Sequence, residues 1–333
     1  MAKSAVLLIN IGTPDSPDTK SVRKYLFQFL NDKRVIDLPF VIRKLLVNVV
    51  IVPFRAPKSA ELYKILWQEE GSPLLVYTNR FVDILNKEHS KNYDFYTAMR
   101  YGNPSLKSVL DQIKDKNYDS IILFPMFPQY ASSTTGSLLE FAMKEISKWY
   151  VIPEIHSVNQ FYNDNNFIDA FTDNIQTCNY SDYDHIIFSY HGLPINQVEN
   201  VHPGTSEFGC KCDIVMPDHG KYCYKATCYE TTRLLAAKLE LSDSDYSVGF
   251  QSRLTDKWLH PFTDELIIKK AELGVKRLLV VAPAFVTDCL ETLVELEIEY
   301  AGLFKEHGGE ELRLVPSLNY SEKWVKAITE IIE

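Results

Sequence analysis

The segment IIFSYHGLP, residues 186–194, carries the pattern that decides the fold of this chain. A β-forming run leads into Ser189 and Tyr190, and His191 is followed at once by a glycine and soon afterwards by a proline. Short runs that are apolar throughout are typical of parallel strands covered on both faces, and Gly and Pro interrupt a strand. The segment therefore predicts a buried strand that ends in a histidine.

Other short apolar runs repeat this strand pattern, at 5–10, 120–127, 246–252 and 277–285. Longer helical patterns lie between them, and most have a Ser, Thr, Asp or Asn near the start, as helix N-caps require. These helices are predicted at 19–30, 104–115, 137–148, 164–176, 229–239, 264–273 and 321–332. Alternating strands and helices predict a doubly wound α/β fold, with parallel sheets flanked by helices.

The length of 333 residues favours two domains over a single core. The alternation pauses near residues 150–160 and resumes at 185, which divides the chain into two α/β halves. We expect an N-terminal half at 1–155, joined by the C-terminal helix at about 319–333, and a C-terminal half at 156–318.

Composition excludes several classes of protein. The formal net charge of −9 and the lack of a basic block argue against nucleic acid as a partner. The first strand lacks the G-x-G-x-x-G pattern, so no nucleotide cofactor is expected, and a nicotinamide dehydrogenase is disfavoured. The first apolar run is too short for an export signal, which a solute-binding protein would carry. No segment approaches the roughly 18 apolar residues of a membrane span. We expect a cytoplasmic protein with reduced cysteines.

Polar residues follow several of the predicted strands. FPQYASSTTGS (127–137), QSRLTDKW (251–258) and FVTDCLETL (285–293) each begin at or near a strand end, as His191 does. Ligands of open α/β sheets bind beyond the carboxyl ends of the strands. Any one of these segments could be an ordinary loop or cap, but four strand ends together predict a site.

These segments together resemble the ferrochelatase family, the enzymes that insert ferrous iron into a porphyrin. FSYHGLP (188–194) is the most specific match. Further matching motifs follow in family order along nearly the whole chain: LLINIGTPDSP, VRKYLFQFLNDKRVIDLP, EEGSPLLVYT, AMRYGNPSL, FPQYASSTTGS, FQSRLTDKWLHPFTDE and FVTDCLETLVELEIEY. The resemblance implies two Rossmann-like domains of the chelatase type, with the active-site cleft between them.

The resemblance also implies the reaction. The expected substrates are Fe²⁺ and protoporphyrin IX, and the expected products are protoheme and two protons, in the terminal step of heme biosynthesis. A coproporphyrin III ferrochelatase, or a related tetrapyrrole chelatase that uses another divalent metal, is the alternative.

His191 is the expected catalytic histidine. A porphyrin must lose two inner N–H protons before iron enters, and a histidine, with an unperturbed pKa of about 6.5, suits that proton transfer. A lone histidine at a strand end is more often structural, and the motif around His191 favours the functional interpretation. Proton acceptor and iron ligand both stay open as its role.

An acidic row follows the 277–285 strand. Glu291, Glu295 and Glu299 are four residues apart and would share one face of an α-helix. A solvated acidic face is the ordinary alternative, and Ile298, expected on the same face, counts against it. The resemblance makes Glu291 the partner of His191 at the substrate iron, and it implies a path for metal or protons along Glu295, Glu299 and Asp288. It also implies a π-helical distortion here.

The resemblance assigns porphyrin contacts as well. These are Arg55, Lys58, Tyr63, Arg100, Tyr101, Ser252 and Trp258. Residues 36–54 are almost uncharged, which is compatible with a buried helix and strand. The family interpretation is a mobile apolar lip that receives the porphyrin and makes peripheral contact with the inner face of the membrane.

Four cysteines crowd into a polar insert at 202–228. Cys210, Cys212, Cys223 and Cys228 suggest a Cys₄ centre, because disulfides are not expected in the cytosol. Some ferrochelatases carry a [2Fe–2S] cluster, so the resemblance favours that cluster, with structural Zn²⁺ and then four unliganded thiols as alternatives. Cys178 and Cys289 lie outside the insert, and Cys289 is expected to pack as a small hydrophobe.

Overall fold

The computed structural model describes residues 3–202 and 209–333. The chain divides into two compact units. The first runs up to Phe127 and also contains Ala131–Gln160, and the second contains Pro128–Tyr130 and the described residues of Phe161–Ile331.

The first unit is built on a four-stranded parallel sheet in the order β2-β1-β3-β4. Its central strand is buried on both faces because Ala5 through Ile9 are apolar without interruption. The strands are β1 (Ser4–Thr13), β2 (Tyr93–Gly102), β3 (Ser120–Pro125) and β4 (Glu154–Ser157). The helices are α1 (Thr19–Leu30), α2 (Phe40–Leu45), α3 (Val52–Leu66), α4 (Pro73–His89), α5 (Leu106–Ile113) and α6 (Ser137–Ile146), with π-helical turns at Leu46–Ile51 and Ser132–Gly136.

The second unit repeats this plan, with the sheet order β6-β5-β7-β8 and all pairs parallel. The strands are β5 (His185–His191), β6 (Tyr246–Gln251), β7 (Arg277–Val281) and β8 (Glu311–Leu314). The helices are α7 (Asn165–Thr177), α8 (Ile195–Glu199), α9 (Tyr224–Lys238), α10 (Thr263–Glu272), α11 (Tyr300–Glu306) and α12 (Glu322–Ile332). A π-helix spans Glu291–Glu299, and short 3₁₀ turns lie at Tyr180–Asp182 and Gly220–Tyr222.

The predicted α/β fold with two parallel sheets is confirmed, and all five predicted strands are present. The C-terminal helix differs from expectation. It groups with the second unit, where the Trp324 ring packs 5.7 Å from Phe161 and 6.2 Å from Phe167. Its apolar face is buried there, so it does not join the N-terminal half. Within the described part of the chain, no helix is long and apolar enough to cross a membrane.

Candidate active site

Hydrogen bonds fix the end of β5, the strand that His191 terminates. Ser189 Oγ donates to Gln251 Oε1 at 2.8 Å, and the Tyr190 hydroxyl bonds Thr232 Oγ1 at 2.9 Å. Ser189 and Tyr190 are fully buried, so the backbone that carries His191 has little freedom to move. The strand that the sequence predicted is a rigid support for the histidine.

The imidazole of His191 is half-buried, and one of its two nitrogens forms a hydrogen bond with the backbone. Nδ1 lies 2.6 Å from the carbonyl oxygen of Gly192. Because a carbonyl can only accept, this contact places the proton on Nδ1 and leaves a lone pair on Nε2. The rings of Trp258 and Phe285 lie 6.3 and 6.4 Å from the imidazole, centroid to centroid. An unprotonated nitrogen in this setting can accept a proton or bind a metal ion.

Gly192 follows the histidine because β6 approaches it closely. The Gly192 N–H donates to the Gln251 carbonyl at 2.8 Å. A Cβ at this position would lie 2.8 Å from the same oxygen and 3.2 Å from the Trp258 ring. A side chain would therefore push the turn away from the strand beside it. The chain can leave the sheet here only through glycine.

Asp288 anchors the helix that carries the acidic row. Its Oδ1 accepts from Thr292 Oγ1 at 3.1 Å, and its Oδ2 accepts from Asn319 Nδ2 at 2.7 Å. The side chain is buried, and its oxygens are already satisfied by neighbours. That Asp288 takes part in a cation path stays a prediction. Its hydrogen bonds to Thr292 and Asn319 hold the start of the helix in place.

The acidic row lies on a π-helix, Glu291–Glu299, and not on a regular α-helix. A π-helix bonds i to i+5, so positions projected at about 3.6 residues per turn shift around the axis. Ile298 is 49% exposed, so it does not mark a buried face as expected. Glu291 and Glu295 are half-buried, whereas Glu299 is exposed.

Four hydrogen-bond donors surround the Glu295 carboxylate. Ser252 donates its N–H at 2.8 Å and its hydroxyl at 2.5 Å. The Tyr300 hydroxyl donates at 3.0 Å and Gln251 Nε2 at 3.2 Å. Ser252 reaches the carboxylate twice in a left-handed backbone conformation, with φ of 62°, which is uncommon for a serine. Ser252, predicted as a porphyrin contact, is committed to Glu295 in this structure.

Gln251 joins the histidine to the acidic helix, and sequence analysis did not select it. Its backbone pairs with His191 across the sheet, and its Oε1 accepts from Ser189. Its Nε2 donates to the Glu291 carbonyl at 3.2 Å, in addition to the Glu295 carboxylate. Gln251 is 1% exposed. Its position just before SRL, at a strand end, was the available signal.

Glu291 begins the π-helix beside Cys289. Burial raises the pKa of the Cys289 thiol well above its usual value, and the hydrogen-bonded Glu291 carboxylate acts in the same direction. Cys289 therefore stays a neutral, buried thiol, in agreement with the expectation that it packs as a small hydrophobe. Glu291 is thus the first carboxylate of the π-helix.

Comparison with known proteins identifies the family. A family model described as Ferrochelatase matches residues 3–333. The chain belongs to the ferrochelatase family. The ferrochelatase of Coxiella burnetii strain CbuK_Q154 is 40% identical over 335 residues, which cover 99% of this chain and 93% of that protein. The ferrochelatase of Legionella pneumophila strain Lens is 38% identical over 338 residues, which cover 99% of this chain and 98% of that protein.

Solved chelatases share the fold of this ferrochelatase-family chain. SirB from Bacillus subtilis with Fe³⁺ superposes with a TM-score of 0.54 at 12% identity, covering 99% of this chain and 94% of SirB. The sirohydrochlorin chelatase SirB from Bacillus subtilis subspecies spizizenii, in complex with cobalt, gives 0.53 at 11%, with the same coverage. Identities this low support the fold alone. Membership of the ferrochelatase family makes the chain a chelatase, a lyase that inserts a metal ion into a porphyrin in heme biosynthesis.

The porphyrin contacts that the family resemblance placed in the first unit fall into two groups. Arg55 and Lys58 are exposed on α3, and Tyr63 is buried on the same helix. Arg100 donates to Asp32 Oδ2 at 2.6 Å, and the Tyr101 hydroxyl donates to the same oxygen at 2.9 Å. Arg100 and Tyr101 are thus engaged with an internal carboxylate, whereas Arg55 and Lys58 extend into solvent.

Asp32 is the centre of this internal network of the first unit. Ser137 Oγ donates to it at 2.6 Å. Burial opposes ionisation, but the hydrogen bond from Ser137, those from Arg34 N–H and Tyr101, and the charge of Arg100 together lower the pKa of Asp32. Sequence analysis did not select Asp32, although it lies within the matched run VRKYLFQFLNDKRVIDLP.

The four thiols of the cysteine insert differ in burial and in their hydrogen-bond partners. Cys223 is the N-cap of α9, and its Sγ accepts from the Ala226 N–H at 3.4 Å. Cys228 is buried within α9 and hydrogen-bonded to Tyr224. Burial raises the pKa of Cys212 to about 12 and that of Cys223 to about 11. Cys210 is only half-buried.

Two histidines accompany Cys210, and sequence analysis missed both. His202, Cys210 and His219 each bring a possible ligand atom within 4.8 Å of the others. The available signal was that both histidines flank the Cys-x-Cys pair at 210–212. The sequence analysis considered only the cysteines there. The insert residues 203–208 lie outside the described residues.

Proposed function

We propose that the chain inserts Fe²⁺ into protoporphyrin IX and releases two protons, the terminal step of heme biosynthesis. The observation that carries this proposal is the free Nε2 of His191, at a rigid strand end that Gln251 connects to the acidic helix. Metallation breaks two porphyrin N–H bonds and leaves iron in the +2 state, so the site needs proton acceptors and no electron transfer.

His191 is the first proton acceptor in this proposal. Its Nδ1–H is held by the Gly192 carbonyl, so the lone pair of the neutral imidazole lies on Nε2. Glu291 supplies a carboxylate near the start of the acidic helix, and a hard oxygen ligand suits an ion that must be passed on. A ring of cysteines would retain the iron too strongly.

The acidic row would carry protons away from His191. The side chain of Glu299 is exposed, but partial desolvation by the protein around it raises its pKa, and the Glu295 carboxylate adds to the rise. Glu299 can therefore take up a proton more readily than an ordinary surface glutamate. The Glu295 carboxylate accepts four hydrogen bonds. In this proposal it is a fixed negative charge beside the proton path.

The porphyrin would be held by an aromatic surface and by exposed cations. Trp258 lies beside the His191 ring and offers a flat apolar face to a macrocycle. Arg55 and Lys58 are exposed and form no ion pair with another described residue, so they are suited to propionate groups. Tyr63, Arg100, Tyr101 and Ser252 have internal partners and are weaker candidates for direct contact.

A metallation assay tests the reaction and its substrates. The purified chain is incubated anaerobically with protoporphyrin IX or coproporphyrin III and with Fe²⁺, Co²⁺ or Zn²⁺. We expect the fastest turnover with Fe²⁺ and protoporphyrin IX. A preference for the tetracarboxylate coproporphyrin III would replace this substrate with the alternative, and no metallation of either porphyrin would refute the proposal.

The exposed apolar surface of residues 36–54 supports peripheral membrane contact. Phe40, Val41, Leu45 and Val49 are largely exposed, and Phe54 is 74% exposed. The alternative of a buried helix and strand does not hold, because these residues form helical turns with apolar side chains in solvent. An apolar patch of this kind marks an interaction surface, and we propose that it rests on the inner face of the membrane of a cytoplasmic enzyme.

Vesicle binding tests the lip proposal. The chain and a Phe54→Ser/Val49→Ser variant are sedimented with phospholipid vesicles, with Tyr150→Ser as an exposed aromatic control elsewhere in the first unit. Binding that the double variant loses and the control keeps would support the proposal. Equal sedimentation of all three would contradict it.

We also propose that the insert binds a resident metal centre. The resemblance favours [2Fe–2S] on Cys210, Cys212, Cys223 and Cys228, with Zn²⁺ as the alternative. Proximity of the thiols supports a centre of either kind, since the neighbouring Cys210 and Cys223 thiols add to burial in raising the pKa of Cys212. Iron, sulfide and zinc analysis of anaerobically purified protein distinguishes these occupants, and absence of all three would refute a resident centre.

A further inference from the structure

Asp32 lies where the chain leaves α1 and turns toward the apolar lip, residues 36–54. Three side chains donate to its Oδ2 atom: the Arg100 guanidinium at 2.6 Å, the Tyr101 hydroxyl at 2.9 Å and Ser137 Oγ at 2.6 Å. Arg100 and Tyr101 end β2, and Ser137 begins α6. One carboxylate therefore joins the turn after α1 to the end of a strand and to the start of a helix.

The two residues after Asp32 fasten the same turn to α6 and to the π-helical turn before it. Arg34 donates through Nε to Glu140 at 2.6 Å and through a terminal nitrogen to Ser132 Oγ at 2.8 Å. Lys33 pairs with the same Glu140 carboxylate at 2.8 Å. The Arg34 N–H donates to Asp32 Oδ1 at 2.8 Å. Three consecutive residues at the base of the lip are therefore bound to the segment that follows β3.

The lip itself has little buried surface to hold it in place. In α2 and the π-helical turn Leu46–Ile51, the buried residues are Arg43 and Val47. A hydrogen bond of 2.7 Å from Asn31 Nδ2 to Asn48 Oδ1 fastens this turn to the end of α1. A segment with few buried contacts has low local stability, so its position depends on the polar contacts at its base.

The ion pair at this base is shielded from water. The Asp32 side chain is 8% exposed and that of Arg100 is 15% exposed. The Arg100 guanidinium also lies over the Tyr101 and Phe141 rings, 4.6 and 4.4 Å from their centroids. Loss of one member of a shielded pair leaves the other charge without compensation, which is more unfavourable than loss of a surface pair. The charge of Asp32, and not only its shape, is therefore needed to hold this arrangement.

We propose that Asp32 is a positioning residue for the porphyrin, because it fixes the base of the apolar lip against the end of β2 and the start of α6. The lip then keeps one orientation as the substrate enters, whereas proton transfer at His191 uses other groups. This inference rests on the proposed function, in which the lip receives the porphyrin. Its expected signature is weaker porphyrin binding without a slower chemical step.

Steady-state kinetics of Asp32→Asn is the first test, because this variant keeps the size of the side chain and removes its charge. We expect KM for protoporphyrin IX to rise about fivefold or more, with kcat within about twofold of wild type. The matched control is Asp111→Asn, on an exposed aspartate that pairs with Lys107 at the same distance of 2.6 Å, and it should leave both constants unchanged. A fall in kcat with KM unchanged, or wild-type values for both, would overturn the inference.

Limited trypsin digestion tests the anchor without measuring activity. Arg43 and Lys44 lie within the lip, and mass spectrometry identifies cleavage after them. In Asp32→Asn we expect this cleavage to be about fivefold faster than in wild type under native conditions. Cleavage elsewhere in the chain should proceed at the wild-type rate. Equal rates within the lip, or acceleration along the whole chain, would contradict a local anchor.

Ser137→Ala replaces Asp32→Asn if that variant does not fold. It removes one donor to Asp32 Oδ2, so the same changes in KM and in lip cleavage should appear to a smaller extent. Wild-type values of both in Ser137→Ala would then refute the inference. Failure of the wild-type chain to metallate any porphyrin would refute the proposed function, whereas the trypsin result would still decide whether Asp32 anchors the lip.

Discussion

The turn after His191 and the cysteine insert both contain side chains of types that can bind metal ions, yet their hydrogen bonding differs. At the turn, Ser189, Gln251 and Glu295 are fixed by hydrogen bonds to one another or to their neighbours. In the insert, His202 Nδ1 lacks a partner among the described residues. The proposed passage of substrate iron requires a site that keeps its geometry without metal, whereas the proposed resident ion would itself contribute free energy to the folding of the insert.

Replacing His191 should produce the largest effect on the rigid site. His191→Ala removes the free Nε2, and we expect metallation to fall by about 10²–10⁴-fold, the usual contribution of a general base. The protein should stay folded because the ring is half-buried and β5 is held by other residues. His156→Ala, on an exposed histidine of β4, is the control. Unchanged turnover of His191→Ala with Fe²⁺ would sink the assignment.

Glu291 and Glu297 separate a functional carboxylate from a solvated one. Glu291→Gln should lower metallation at least about tenfold, because Fe²⁺ would lose a hard oxygen ligand. Glu297→Gln, on the exposed end of the same π-helix, should stay close to wild type. Steady-state rates across a range of Fe²⁺ concentrations measure both variants. Equal losses would mean that the whole row is a solvated face.

Gln251 tests whether the rigidity of the turn matters for the chemistry. Gln251→Leu keeps the size of the side chain but removes its bonds to Ser189, Glu291 and Glu295. We expect roughly a 10-fold loss in kcat, typical of residues that orient a metal-binding group, with little change in KM for the porphyrin. Arg253→Gln, on the neighbouring exposed ion pairs, is the control. A loss confined to KM would contradict a positioning role.

Tyr224 joins the two regions. Its hydroxyl donates to the His191 carbonyl at 2.9 Å and is hydrogen-bonded to Cys228 in α9. Tyr224→Phe should lower the free energy of unfolding by about 0.5–1.5 kcal/mol, the net value of one hydrogen bond, and slow metallation only a few-fold. Urea denaturation and initial rates measure the two effects. A loss as large as that of His191→Ala would show that the regions are not independent.

The smallest expected effect concerns the charge of Glu299. Its folded pKa is raised above 4.5, first by burial and then by Glu295, so its ionised form is disfavoured in the folded state. Glu299→Gln should therefore raise the thermal midpoint slightly at neutral pH, and the gain should vanish as pH falls below about 4.5, where the glutamate is protonated in both states. Glu306→Gln is the control, and a gain that persists at low pH would contradict this cause.

Local patterns were sufficient for the central strands. The four inner strands β1, β3, β5 and β7 contain continuous apolar runs, and they and the edge strand β6 were predicted within a few residues of their observed bounds. β2, β4 and β8 were missed because β2 mixes polar and aromatic residues and the other two are short edge strands. A sequence pattern shows burial on both faces clearly, but it shows pairing at a sheet edge weakly.

The candidate site was predicted for the residues that have a recognisable motif. His191 and Glu291 could be selected from FSYHGLP and the acidic row. Gln251, His202 and His219 had only weak local signals, because their significance comes from partners more than ten residues away or from a buried nitrogen without a partner among the described residues. Ile298 was placed on the wrong face because the projection assumed 3.6 residues per turn, whereas Glu291–Glu299 is a π-helix.

By itself, the sequence determined that this chain has parallel sheets and a histidine at the end of a buried strand, because the burial of a strand is written in the apolar residues along it. That Gly192 must be a glycine was decided by the tertiary structure, which brings Gln251 and Trp258 against it. Only the tertiary structure decided which nitrogen of His191 is free, that Ser252 and Gln251 hold Glu295, and that two histidines lie beside Cys210. Hydrogen bonds and ligand sets depend on distances of about 3–4 Å between residues far apart in sequence, and spacing along a chain does not fix those distances.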